Sequence, residues 1–428
     1  MEVKKQQMIF LAHGALAAFG AYFCMYAFRK PFSAVPFEGL GLWGMDYKIL
    51  LIIAQVLGYA ISKFAGIRYV SEMEARHRPW YLVGMILLAE LSLVLFALIP
   101  APYNFLLMIF NGLTLGMVWG IVFSYLEGRK FTEILGVALC GSFIVSSGVV
   151  KSIGLWTMDQ WSISAFWMPA VTGAIFILPM VVFAWMLERL PAPSPEDEAL
   201  KSPRVPMTKE DRMRVMTRFI FPLLLLVFFY TLLTAFRDFR DNFARELWDS
   251  VGFEGDIMVF SYSEMIVAVV VLLILGGVVV IRDNLKALNT YFALLLMGVL
   301  TVGGSTMLFQ AGILSPFSWM VASGFGLYIC YVPFNCLFFD RFIGVFHLKA
   351  NAGFLIYIAD AFGYLGSVMV LVYKNFFMDD ISWLNFFIYS SYMIALVGFI
   401  LMIISRWAIQ KKYKAITSEK LMIHEQQV

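Results

Sequence analysis

Apolar residues in this chain come in blocks of about twenty, separated by short stretches carrying its Lys, Arg and Pro residues. As a helix, each block is long enough to cross a hydrocarbon core of roughly 30 Å. The blocks fall near residues 8–28, 47–67, 79–99, 103–126, 131–155 and 164–187. Six more follow, near 217–236, 257–281, 286–311, 316–339, 350–373 and 382–405. Helix is the predicted form of every one, because backbone N–H and C=O groups in lipid need partners within their own segment. The interval 188–216 holds PAPSPEDEALKSPRVP and a run of charges, and reads as a solvated linker. It divides the chain into a bundle over 1–187 and a second bundle with a tail over 217–428. The predicted fold class is an all-α membrane protein of twelve transmembrane helices in two six-helix bundles.

Composition sharpens this picture. The chain is 61% apolar and 14% charged, against about 45–50% and roughly 25% for a soluble domain. That excludes a soluble enzyme as well as a disordered or collagen-like chain. The net charge of +3 is accompanied by no long basic face, so no nucleic-acid partner is expected. The four cysteines, Cys24, Cys140, Cys330 and Cys336, lie in apolar blocks without zinc-ligand spacing. Buried thiols are predicted, with neither disulfide nor metal, and no cofactor is expected. No HExxH, GxSxG, paired-cysteine or Walker pattern is present, which points away from an enzyme.

Charge placement sets the predicted orientation. With the N-terminus inside, the cytoplasmic segments hold 23 Lys and Arg residues and the opposite side 8, while Lys63 lies within a block. Both termini and the linker are therefore expected in the cytoplasm. The first block is longer than a signal-peptide core, and eleven more follow it, so it is expected to be retained. A monomer in a bacterial inner membrane, in contact with lipid and a small anionic solute, is the expected setting.

The halves also look like copies. Ala27-Phe28-Arg29-Lys30 closes the first span and Ala235-Phe236-Arg237-Asp238 closes the seventh, 208 residues later; Gly116 and Gly324 stand at the same offset. A duplicated frame places a binding site at the interface of the repeats. Ionisable side chains in hydrocarbon cost several kcal/mol, so each needs a reason. The candidates are Arg29, Lys30, Lys63, Glu90, Lys151, Arg237, Asp238, Arg240, Asp241, Glu264 and Asp360. For Lys151 and Arg240, near predicted helix ends, snorkelling to the interface is expected. Arg29 and Arg237 occupy equivalent places and are expected to converge on one cavity. Two guanidinium groups, each with paired N–H donors, suit a doubly charged oxyanion. Lys63 adds a third cation. The competing arrangement holds the arginines in structural pairs with Asp241, Glu264 or Asp360. Tyr22 and Tyr26 lie on the helix face leading to Arg29 and offer hydroxyls to an anion. Gly112, Gly116 and Gly120, like Gly353, Gly363 and Gly366, are expected to serve close helix packing.

At these residues the chain resembles the organophosphate:phosphate antiporters of the major facilitator superfamily. Tyr26-Ala27-Phe28-Arg29-Lys30-Pro31-Phe32 is similar to that family's Tyr-x-x-Arg-Lys-x-Phe, and Gly58-Tyr59-Ala60-Ile61-Ser62-Lys63-Phe64 to its Tyr-Gly-x-Ser-Lys-Phe. Asn111-Gly112 with Gly116-Met117-Val118-Trp119 resembles its Gly-x-x-Gln-Gly-x-Gly-Trp stretch, and Trp161 to Pro169 the approach to its sixth span. Ala350-Asn351-Ala352-Gly353-Phe354 and Phe362-Gly363-Tyr364-Leu365-Gly366 are similar to its late glycine motifs. The resemblance implies phosphate binding by Arg29, Arg237 and Lys63, and a bridge between halves from Lys30 to Asp241 and Glu264. Two features depart from it. The family's span-five histidine falls near Val145, and Ser71-Glu72-Met73 replaces its Ser-Asp-Arg loop. Proton coupling through Glu90, Glu264 or Asp360 then becomes conceivable. The leading expectation is a secondary transporter of a small organic anion; a membrane sensor of an anionic metabolite and an anionic-lipid translocator are the alternatives.

Overall fold

The computed structural model describes residues 2–126, 131–191, 209–348, 350, 352–378 and 380–427. Among the described residues, twelve helices are long and apolar enough to cross a bilayer. In the first half they are α1 (Glu2–Ala27), α2 (Tyr47–Glu72), α3 (Arg78–Leu98), α4 (Leu106–Leu115 and Val118–Leu126), α5 (Thr132–Trp161) and α6 (Met168–Glu188). In the second they are α7 (Lys209–Asn242), α8 (Val259–Val279), α9 (Asn284–Gln310), α10 (Pro316–Cys336), α11 (Ala352–Phe377) and α12 (Trp383–Gln427). Most of the predicted linker lies outside the described residues, α7 having begun by Lys209.

The helix ends have local causes. α1 stops at Ala27, and Pro31, which cannot donate a backbone hydrogen bond, opens a 3₁₀ turn over Pro31–Ala34. Within α7, Pro222 leaves the carbonyl four residues earlier without its helical partner, and the helix kinks at Phe219. That carbonyl, on Arg218, accepts from Lys412 of α12 instead. α3 and α6 turn Leu87, Leu91, Leu98, Leu178 and Trp185 outward, as a lipid-facing surface should.

α1 packs on α5 and α6, α2 on α4, and α3 on α4 and α6; α7 packs on α11 and α12, α9 on α10 and α12, and α8 on α10. Two bundles of six result. They meet along two seams, α5 against α8 and α2 against α11. Shifting every helix by six exchanges these seams, as a duplicated frame requires. Small residues allow the approach. A Cβ on Gly148 of α5 would lie 2.3 Å from the Phe260 carbonyl oxygen of α8. Cys24, Cys140, Cys330 and Cys336 are buried free thiols.

Two spans differ from their predicted extent. α7 runs to Asn242 and α5 to Trp161, well past the expected ends at 236 and 155. Arg237, Asp238, Arg240, Asp241 and Lys151 therefore sit on helix within the bundle. Snorkelling is ruled out for Lys151 and Arg240, which are 2% and 3% exposed.

Candidate functional site

Arg29 stands just beyond the last turn of α1, and its carbonyl, left without a helical partner, accepts from Gln55 Nε2 at 3.0 Å. Asn111 of α4 accepts from the same Gln55 amide (2.7 Å) and donates to the Phe28 carbonyl (3.0 Å). These amides satisfy the buried backbone at the end of α1 and fix where Arg29 begins. Its guanidinium lies over the Tyr59 ring, 4.1 Å from the centroid, a favourable cation–π geometry. Among the described residues it donates no hydrogen bond, meets no carboxylate, and keeps its Nε buried and unpartnered.

Arg237 reaches the same chamber from α7, its guanidinium 4.0 Å from the centroid of the Tyr331 ring. Nη2 donates to Asp238 Oδ1 at 2.5 Å, while Asp238 Oδ2 accepts from Ser367 Oγ at 2.9 Å. Lys63 of α2 is bonded to Asp360 Oδ2 of α11, and Tyr230 donates to Asp360 Oδ1 at 2.5 Å. Arg29, Arg237, Lys63 and Asp360 line one chamber with Tyr22, Tyr26, Tyr59, Tyr331, Tyr364 and Asn335. Its free volume is about 20 Å³, enough for a water molecule and far too little for an organic solute.

Ion pairs between the bundles bracket this chamber. Towards the end away from the chain termini, Lys30 meets Asp241 at 2.5 Å and Lys151 meets it at 2.6 Å. Lys30 also donates to Asn242 (2.8 Å), and Lys48 pairs with Glu246 (2.6 Å). Towards the terminal end, below the Lys63–Asp360 pair, Arg341 binds Glu133 at 2.8 Å. Ion pairs thus flank the chamber on both sides.

Most of the predicted site residues are thus brought together: Arg29, Lys63, Arg237, Tyr22 and Tyr26 share the chamber, and Lys30, Asp241 and Asp360 join the bundles. Three expectations are corrected. Glu264 of α8 pairs with Arg240 at 2.6 Å inside the second bundle, because α7 continues far enough to place Arg240 beside it; it forms no bridge to Lys30. Glu90 lies within the first bundle, where a Cβ on Gly173 of α6 would come within 2.2 Å of its Oε2. Among the described residues it joins no bundle to the other, and its Oε2 is buried without a hydrogen-bond partner. Lys63, expected as a free third cation, is neutralised by Asp360. Sequence reasoning missed Tyr59, Tyr331, Tyr364, Asn335 and the Glu133–Arg341 pair. Tyr59, four residues before Lys63 on one helix, was the one with a readable signal.

The family model described as a family of unknown function (DUF5690) matches residues 31–412. A comparison with curated protein sequences finds no match. Among solved structures, the chain is similar to a bacterial homologue of the human drug peptide transporters PepT1 and PepT2. The TM-score is 0.62 at 11% identity, over 94% of this chain and 99% of that one. It is also similar to a D-xylose-proton symporter, with a TM-score of 0.59 at 15% identity, over 92% and 96% of the two chains. At these identities the likeness is one of fold, and the fold is that of the major facilitator superfamily. With twelve spanning helices in this arrangement and a family match over most of its length, the chain is a multi-pass membrane protein belonging to the family of unknown function DUF5690.

Proposed function

We propose that this protein is a secondary transporter that carries a small organic anion by alternating access. It would act as a monomer in a bacterial inner membrane, with both termini and the linker in the cytoplasm. The observation that carries the reading is Arg29: a buried guanidinium with no carboxylate partner among the described residues, facing a chamber walled by both bundles. A buried cation is costly unless paired, and an anion arriving in the chamber supplies the missing partner. Pairs that flank the chamber on both sides fit an occluded state, from which either layer opens in turn. The transporters of similar fold support the class of activity by analogy only.

A phosphate ester exchanged for phosphate is the finer form of this reading, supported by the motif resemblance and by Arg29, Arg237 and Lys63 lining one chamber. Asp238 and Asp360 weigh against it, since each already neutralises one of those cations. Proton coupling, the alternative to a counter-anion, would draw on Asp360 or on Glu90 with its unpartnered oxygen.

Uptake by proteoliposomes containing the purified protein tests the proposal. Arg29→Ala and Arg29→Lys should each lower anion flux about 10–100-fold, the first by removing the charge and the second by losing the paired donors. Wild-type rates in both variants would remove the basis of the reading. Anion binding without flux would turn it towards a sensor, and flux confined to a fluorescent anionic lipid towards a translocator.

A further inference from the structure

The two arginine motifs differ in one position. Where the first half has Arg29-Lys30, the second has Arg237-Asp238. Lys30 turns out of the chamber to Asp241 and Asn242. Asp238 instead folds back on its neighbour, one oxygen on Arg237 and the other held by Ser367 of α11. Both carboxylate oxygens are occupied, and the group is 4% exposed, so the Arg237–Asp238 pair presents no net charge to the chamber. Lys63 and Asp360 cancel in the same way, with Tyr230 on the second oxygen of Asp360. Among the described residues three cations line the chamber, and one of them, Arg29, is left uncompensated. Lys30 and Lys151 share Asp241 in the layer beyond and form no part of the chamber lining.

Resting on the transporter reading above, we propose that the chamber selects an organic anion of single negative charge, a monocarboxylate, and that Asp238 sets this charge preference. A monoanion on Arg29 brings the closed chamber to neutrality. A dianion would leave one negative charge enclosed, and an unpaired buried charge is strongly unfavourable. Arg237 then serves as a donor of fixed geometry whose charge is already balanced, while the tyrosine rings and hydroxyls surround the body of the solute. This assignment departs from the doubly charged oxyanion that two arginines and a lysine suggest in sequence.

The test compares lactate, gluconate and benzoate with succinate and glycerol 3-phosphate, at constant ionic strength and about pH 8, where the last two are dianions. Ligand-induced thermal stabilisation and counterflow in proteoliposomes are both read on the full-length protein. The wild type should favour at least one monocarboxylate over both dianions. Asp238→Asn keeps the shape and removes the charge, and should raise the dianion-to-monoanion preference about tenfold or more. Asp238→Glu should keep the wild-type order. A wild type that prefers dianions overturns the assignment even if the variants fail to fold, and so does a folded Asp238→Asn with an unchanged ratio. If neutral sugars or cations move and no anion of either charge does, the transporter reading beneath it falls instead.

Discussion

Single residues at the end of α1 decide where the unpaired cation sits. Asn111 makes bonds to Gln55, Phe28 and, at 3.4 Å, Ala89, so four helices' worth of polar backbone and side chain converge on one buried amide. Asn111→Ala should cost about 1–3 kcal/mol, because it leaves buried carbonyls and the Gln55 amide short of partners. Reversible denaturation in micelles measures that loss. Arg29 was legible in sequence as a charge without a reason, and Gln55 and Asn111 were not, since an amide in an apolar block announces nothing about which carbonyl it will meet. Lys63 shows the opposite limit: its presence was readable, but its neutralisation by a residue 297 positions away was not.

Between α2 and α4, glycines let the two backbones approach closely. A Cβ on Gly58 would lie 2.0 Å from the Ile109 carbonyl oxygen, and one on Gly112 would lie 2.1 Å from that of Gln55. Gly58→Ala or Gly112→Ala must push two helix backbones apart and should destabilise by about 3 kcal/mol or more. Gly276→Ala on α8 meets nothing within 4 Å and should be neutral or stabilising by up to about 1 kcal/mol. A thiol-reactive dye reports the difference as a shift in unfolding temperature, since all four cysteines are buried until the bundle opens. Equal midpoints for the three variants would show that the α2–α4 contact is not tight. The existence of each helix was readable from hydropathy alone; the lengths of α5 and α7 were not. Polar residues such as Lys151 and Asp241 mark a helix end in a hydropathy pattern, whereas in the folded bundle they pair with each other and let both helices continue.

For the whole molecule, the bracketed chamber makes the two layers of inter-bundle pairs opponents. Loss of Glu133–Arg341 should favour opening at the terminal end, and loss of Lys48–Glu246 opening at the other. With a reporter Ile356→Cys, at a position of α11 that also lines the chamber, Glu133→Gln should raise labelling by an impermeant maleimide from the terminal side. Glu246→Gln should raise labelling from the opposite side. Changes of about fivefold are expected for Glu133→Gln, whose pair is partly exposed and worth about 1 kcal/mol, and at least as large for Glu246→Gln, since Lys48 is buried. Labelling that rises on the same side in both would contradict a chamber opened alternately. Hydropathy and repetition by themselves determined the membrane, the twelve spans, the six-plus-six frame and Arg29 and Arg237 as residues to explain, because lipid penalises every unpaired polar group along a single segment. Only the tertiary structure decided which acid answers which cation: Asp360 for Lys63, Asp241 for Lys30 and Lys151, Glu264 for Arg240, and none among the described residues for Arg29. Charge pairing depends on distances of a few ångströms between helices far apart in the chain, and those distances exist only once the bundles have closed on one another.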